Sequence, residues 1–257
     1  MQTDLFKEQV AVITGAGQGI GFEIARQLCL QGASVVLNDV DAIRAEKAAA
    51  QINREDGVCI AIAGDAGDRD TIGNLIRSAV DHFGKLTIAI ANAGTTAYGD
   101  FFAFTENSFR ELVRLNLSGG FFLTQAAARQ MKLQQSGGSV LLMSSVTGHQ
   151  AHKNLAAYGM TKAALEMLAR SLVIELSPYQ ISINAIAPGA TQTERTMSDP
   201  EYNTTWSNIT PMGKPATVND IAQAALFLVS PGSKHITGQT LIVDGGWTSV
   251  SPSPFDE

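Results

Sequence analysis

Short β-branched and apolar runs recur along this chain with helical stretches between them, and that alternation leaves few folds open. The runs occupy residues 10–14, 34–37, 58–63, 86–92, 139–144, 181–187 and 241–243. Several are apolar throughout, as strands covered on both faces must be. Between them, Ile20, Ile24 and Leu28 mark one helical face, and Leu165, Leu168, Leu172 and Leu176 mark another. Strands separated by helices join through right-handed crossovers into a parallel sheet. The expected fold is α/β, a doubly wound parallel sheet of about seven strands with helices on both faces, and its ligands should bind beyond the carboxyl ends of the strands.

The 257 residues are read as a single domain spanning 1–257, since no composition shift marks a linker. An apolar share of 45% against a charged share of 16% suffices for a large buried core. The formal charge of −6 offers no basic stripe for nucleic acid or anionic lipid. The first nine residues are polar and charged, and no apolar run reaches membrane-spanning length, so the expectation is a soluble, cytoplasmic protein. Cys29 falls in an apolar helix and Cys59 in a strand, and two thiols in a chain this long read as buried free cysteines. Residues 190–214 lack clear periodicity and follow a strand end directly, which marks them as a substrate lid. The tail from Thr248 onward is polar and proline-broken, the composition of an unpacked terminus.

The first strand runs into Thr14-Gly15-Ala16-Gly17-Gln18-Gly19-Ile20-Gly21, and a helix begins near Ile20. Glycines let the backbone approach a pyrophosphate, while a helix amino terminus supplies unpaired N–H donors and partial positive charge. The spacing reads Thr-Gly-x-x-x-Gly-x-Gly rather than Gly-x-Gly-x-x-Gly, because counting from Gly15 or Gly17 puts Ile20 or Phe22 last. Strand, turn and helix together predict a Rossmann-type nucleotide site. Asp39, eighteen residues past Gly21, ends the second strand, where a carboxylate can accept both adenosine ribose hydroxyls and repel a 2′-phosphate. With Gln18 rather than a cation in the turn, this favours NAD over NADP. Arg44 is open to two readings, a phosphate contact or a solvated helix face. Asp65, with Ala66 beside it, reads equally as an adenine contact or an ordinary turn aspartate.

Tyr158 and Lys162 stand four apart in a helical stretch, thirteen residues after Ser145. Residues i and i+4 share a helix face, so a phenol and an ammonium can lie side by side. Such a pair can move the proton of an alcohol while a nicotinamide exchanges the hydride. A free phenol, ionising near ~10, is a poor base at neutral pH. Neighbouring positive charge favours its anion. A neutral serine hydroxyl can instead bind the oxygen on which charge develops. A Ser-His-Asp hydrolase does not fit, because Ser145 stands in Met143-Ser-Ser-Val-Thr-Gly and not in a Gly-x-Ser-x-Gly elbow. His149 and His152 have no nearby cysteine or carboxylate in the sequence to complete a metal site, so no metal is expected.

With the glycine turn, Asn92-Ala93-Gly94, Asn116, Ser145, Tyr158, Lys162, Pro188-Gly189 and Asp244-Gly245-Gly246 all in order, the chain resembles the short-chain dehydrogenase/reductase family over essentially its full length. The resemblance implies an NAD(P)-dependent oxidoreductase acting on CH–OH groups. Ser145 would polarise the substrate oxygen, Tyr158 act as acid/base, Lys162 support the phenolate and hold the nicotinamide ribose, and Asn116 carry a water relay. It further implies that Gly15, Gln18, Gly19, Ile20, Gly21, Asn92, Ala93 and Gly94 line the cofactor. Pro188 and Gly189 would shape the nicotinamide wall, with Thr191 or Thr193 reaching its amide or phosphates. Ala91 and Thr191 depart from common usage, where asparagine and an aliphatic residue are frequent. Residues 188–193, with 209–213 farther on, are similar to bacterial glucose and polyol dehydrogenases of the family. Thr95, Thr96, His149, His152, Asn154, Arg195 and Trp206 are then candidates for the pocket of a small alcohol, ketone or sugar. A 3-oxoacyl carrier-protein reductase is the second reading, and a non-catalytic dinucleotide sensor or scaffold the third. Family resemblance also implies a homotetramer, with helices near residues 105–134 and 158–176 at one interface.

Overall fold

The computed structural model describes residues 4–250. Seven strands form one wholly parallel sheet: β1 (Val10–Ile13), β2 (Ser34–Asp39), β3 (Val58–Ala63), β4 (Ile88–Ala91), β5 (Gly138–Met143), β6 (Ile181–Pro188) and, after two short strands, β9 (Thr240–Val243). Their order is β3-β2-β1-β4-β5-β6-β9. The short strands β7 (Thr191–Gln192) and β8 (Ala216–Thr217) pair only with each other. Sheet order reverses between β1 and β4, which pair in parallel with Ile13 opposite Ile90, so a crevice opens beyond the carboxyl ends of these two strands.

Side-chain alternation along each strand assigns the helices to faces. Ala11 and Ile13 of β1 and Val35 and Leu37 of β2 pack into one buried cluster with α1 (Gly19–Leu30), α2 (Ala42–Arg54) and α8 (Val218–Val229). Val10, Val12 and Val36 point the other way, against α3 (Arg69–Phe83), α5 (Gly120–Gln134) and α6 (Ala156–Leu176). Sheet and covering helices thus make the expected doubly wound α/β fold. The core of α6 comes from Leu165, Ala169 and Leu176 on one stripe, while Met167 and Ile174 are exposed.

Helix ends follow local chemistry. Asp41 caps α2 by accepting the Arg44 N–H, Asp68 caps α3 by accepting the Thr71 N–H, and α3 stops at Gly84 in the left-handed region at φ 78°. Thr217 and Asp220 form a reciprocal capping box on α8. Gln18, at the start of α1, makes no side-chain cap, and its helix carries no acidic residue in the first turn.

Residues 190–214 hold more structure than their periodicity suggests: β7, a 3₁₀ turn at Thr196–Ser198 and the helix α7 (Tyr202–Ile209). No residue of α7 is fully buried, and its apolar face is limited to Tyr202, Trp206 and Ile209, a stripe of two turns. The remaining α-helix, α4 (Glu106–Val113), runs into a π-helical turn at Arg114–Gly119 before α5 begins. Of the polar tail, residues 251–257 lie outside the described residues.

Candidate active site

A cavity of about 560 Å³ lies over the β1/β4 crevice and extends from Asp39 and Asp65 at one end to Ser145, Tyr158 and Lys162 at the other. The phosphate turn forms its floor. Gly15 takes φ 61°, and a Cβ there would fall 2.8 Å from Ala93 Cα, so only glycine lets the turn lie this close to the end of β4. Asn92 fastens the two segments by donating from Nδ2 to the carbonyls of Thr14 at 3.0 Å and Gly15 at 2.8 Å. The Asn92 side chain is thereby spent on the turn. The uncapped start of α1 faces this cavity through Gln18, Gly19, Ile20 and Gly21, leaving first-turn N–H groups for an anion.

At the far end of β2, the Asp39 carboxylate accepts the Gly17 N–H at 3.1 Å and the Asp41 N–H at 3.0 Å, with its side chain 8% exposed. Arg44 resolves to a partner of this group, with Nη1 3.5 Å from Asp39 and Nη2 3.4 Å from Asp41. Asp65 lines the same end beside Ala66 and pairs with Arg114 at 2.8 Å. The Arg114 guanidinium holds the Asp65 carboxyl below the usual carboxylate range, and the Gly67 N–H adds to the effect. Arg114 was not visible as a site residue because its partner lies far away in sequence.

The other end is built from three elements. Ser145 follows β5 in extended backbone and starts a 3₁₀ turn at Val146–Gly148, its Oγ accepting the Thr147 N–H at 3.3 Å. Tyr158 and Lys162 share a face of α6, and Lys162 Nζ sits 5.6 Å from the Tyr158 ring centre while donating to the Met143 carbonyl at 2.7 Å. Lys162 is only 4% exposed. Asn116 lies in the π-helical turn, where Oδ1 accepts the Thr95 N–H at 2.8 Å and Nδ2 donates to the Thr95 carbonyl at 2.9 Å. π-bulges of this kind occur frequently at functional sites. A Cβ on Gly94 would meet Asn116 Oδ1 at 3.2 Å and Lys162 Nζ at 3.4 Å, so both polar groups converge on one glycine.

Pro188, Gly189, Thr191 and Thr193 also line the cavity, with Thr96 and Arg195. Glu194, Thr196 and Tyr202 join them from residues 190–214, three positions sequence reasoning missed. Tyr202 donates to the Thr191 carbonyl at 3.1 Å, and burial pushes its phenol up from the ordinary value. Four proposed pocket residues, His149, His152, Asn154 and Trp206, fall outside the cavity lining. His149 turns to Glu166, with Nε2 3.0 Å from Oε1. His152 packs on Trp247 at 5.0 Å, and Trp247 meets Trp206 edge-on at 4.8 Å, so the three rings pack on one another outside the lining. Asn154 takes φ 65° and its carbonyl accepts the Gly99 N–H at 3.0 Å, which makes it a turn residue.

A family model described as "Enoyl-(Acyl carrier protein) reductase" matches residues 15–248. The chain is 34% identical over 249 residues to L-rhamnose 1-dehydrogenase (NAD(P)(+)) of Azotobacter vinelandii, covering 94% of this chain and 97% of the relative. The chain belongs to the short-chain dehydrogenase/reductase family. Galactitol 2-dehydrogenase (L-tagatose-forming) of Cereibacter sphaeroides is 32% identical over 243 residues, covering 93% of this chain and 94% of that one. The crystal structure of a short-chain type dehydrogenase/reductase from Mycobacterium marinum superposes with a TM-score of 0.90 at 29% identity, over 95% of this chain and 98% of that one. This short-chain dehydrogenase/reductase is therefore an oxidoreductase that interconverts alcohol and carbonyl groups with a nicotinamide dinucleotide. Among the described residues, no helix is long and apolar enough to cross a membrane.

Proposed function

We propose that the protein is an NAD-dependent dehydrogenase of a sugar or polyol, working on one secondary hydroxyl. The observation that carries this reading is a single cavity with a buried Asp39 carboxylate at one end and Ser145, Tyr158 and Lys162 at the other. The glycine cradle against Ala93 and the uncapped start of α1 fit a pyrophosphate, and Asp39 fits an unphosphorylated ribose. When bound there, the nicotinamide supplies the acceptor or donor of the hydride.

Tyr158 takes the alcohol proton, or returns it to the carbonyl oxygen in the reverse direction. Lys162, held by the Met143 carbonyl with Nζ 5.6 Å from the Tyr158 ring centre, would hold the nicotinamide ribose beside the phenol. Ser145 donates a hydrogen bond to the substrate oxygen as charge develops on it. Asn116 holds the local backbone at Thr95 and would carry the proton outward through ordered water. Residues 190–214 act as the lid, and Thr96, Arg195 and Tyr202 offer polar contacts near its mouth suited to a hydroxylated ligand.

The names of the two relatives, one acting on rhamnose and one on galactitol, support the sugar or polyol class. The exposed Met167 and Ile174 of α6 and Phe121 of α5 support a homotetramer, which light scattering would test. The functional test is a panel of hexoses, deoxyhexoses, polyols, 3-oxoacyl thioesters and aromatic ketones with NAD(H) and NADP(H), followed by nicotinamide absorbance. The reading expects NAD-linked turnover of a sugar or polyol. Turnover confined to a 3-oxoacyl thioester with NADPH would replace it, and tight NAD binding without any turnover would favour a sensor.

A further inference from the structure

Glu166 is a carboxylate almost without solvent, 5% exposed, on α6 one helical turn beyond Lys162 and outside the cavity lining. None of the proton chemistry above uses it. A buried carboxylate is costly unless its oxygens are bonded, so its partners are informative. The Ser144 hydroxyl lies 2.5 Å from Oε1, and His149 Nε2 lies 3.0 Å from the same oxygen. Gly148 packs so closely that a Cβ there would fall 2.7 Å from Oε1. Ser144 and His149 flank the turn Val146–Gly148, which Gly148 ends and Ser145 caps at its start.

One turn earlier on the same helix, Lys162 binds the Met143 carbonyl, and the Ser144 hydroxyl is 3.1 Å from the Lys162 carbonyl. Helix α6 therefore grips the strand end at Met143 and Ser144 and the far end of the turn at His149, and Ser145 sits between those grips. A serine that must meet a developing charge at hydrogen-bond distance depends on the backbone beneath it being held.

We infer that Glu166 is a positioning residue: through Ser144 and His149 it fixes the turn that aims the Ser145 hydroxyl into the cavity. His149 is then a strap on the turn and not a wall of the substrate pocket. The inference rests on the proposed role of Ser145.

The test is a double-mutant cycle on the full chain with whichever panel substrate is turned over fastest. Ser145→Ala should lower kcat about 100-fold, as losing one hydrogen-bond donor to a developing oxyanion does. Glu166→Ala should lower kcat about 10-fold or more with KM for NAD nearly unchanged, and Glu166→Gln, which keeps the Oε1 acceptor, should recover most of the rate. Added to Ser145→Ala, the Glu166→Ala change should cost less than about 2-fold, because coupled residues are non-additive. Should Glu166→Ala fail to fold, Ser144→Ala takes its place in the cycle with the same expectation. Full additivity, or a Glu166→Gln rate no better than that of Glu166→Ala, would overturn the inference while leaving Ser145 in its role. A near-normal rate for Ser145→Ala would overturn the serine's role itself.

Discussion

Asp39 accepts the N–H of Gly17 at 3.1 Å, so the last residue of β2 is bonded directly into the phosphate turn. A Cβ on Gly17 would fall 2.7 Å from the same carboxylate oxygen, and glycine is what permits the contact. The carboxylate is thereby fixed at the cavity wall, where it meets Arg44 at 3.5 Å on its other oxygen.

Asp39→Ala should weaken NAD by about 10-fold or more, since hydrogen bonds to a charged group contribute roughly 1.5–3 kcal/mol. It should also narrow the gap to NADP, because the repelling charge is gone and Arg44 keeps only Asp41 of its two carboxylate partners. Parallel fluorescence titrations with the two dinucleotides measure this, and unchanged selectivity would contradict the ribose role.

His152 gives a pH dependence of stability. Burial pushes its imidazole below the ordinary 6.5, and its Nε2 has no protein partner among the described residues. The folded state keeps the ring neutral while the unfolded chain protonates it, so stability is full above about 6.5 and falls as pH drops from there toward the lowered folded value. Replacing His152 with Phe keeps a ring against Trp247 and should remove this component, so the wild-type midpoint should fall more than the variant's between about pH 7.5 and about pH 5.5. Equal shifts in both proteins would count against it. Tryptophan emission is a second readout, because the chain's two tryptophans, Trp206 and Trp247, touch each other and Trp247 touches His152.

What the sequence revealed and what it hid divide along locality. The first strand, the glycine turn, the start of α1 and the Tyr158–Lys162 pair are each written within a few consecutive residues, and the turn, the helix start and the pair line one cavity. The Asp65–Arg114 ion pair joins segments that only the fold brings together. The same holds for Glu166, which reads in the sequence as one more polar residue between Leu165 and Met167 and draws His149 away from the pocket. The π-helical turn that carries Asn116 widens a helix without disturbing its apolar pattern enough to be seen. Tyr202, Trp206 and Ile209 do stand at helical spacing, but the stripe spans only eight residues between Pro200 and Pro211, too short to stand out from a loop.

The capping box on α8 provides a control remote from the chemistry. Thr217 accepts the Asp220 N–H at 3.3 Å and donates to Asp220 Oδ2 at 2.8 Å. Hydrogen bonds from the Thr217 backbone and hydroxyl hold the Asp220 carboxyl below the usual carboxylate range. Its contribution is therefore present above the ordinary carboxylate range and lost as pH falls through the lowered folded value. Asp220→Ala should cost about 1 kcal/mol in denaturant unfolding at neutral pH, as lost helix caps do. The difference should shrink in acid, and kcat should stay within error of wild type.

The most direct measurement is the turnover of Tyr158→Phe beside its affinity for NAD. That change removes one hydroxyl and keeps the ring 5.6 Å from Lys162 Nζ. The account predicts unchanged folding, NAD affinity within about 3-fold, and a loss of roughly 100-fold or more in kcat, the scale of a lost general acid or base. A variant that binds NAD normally and keeps most of its rate would contradict it.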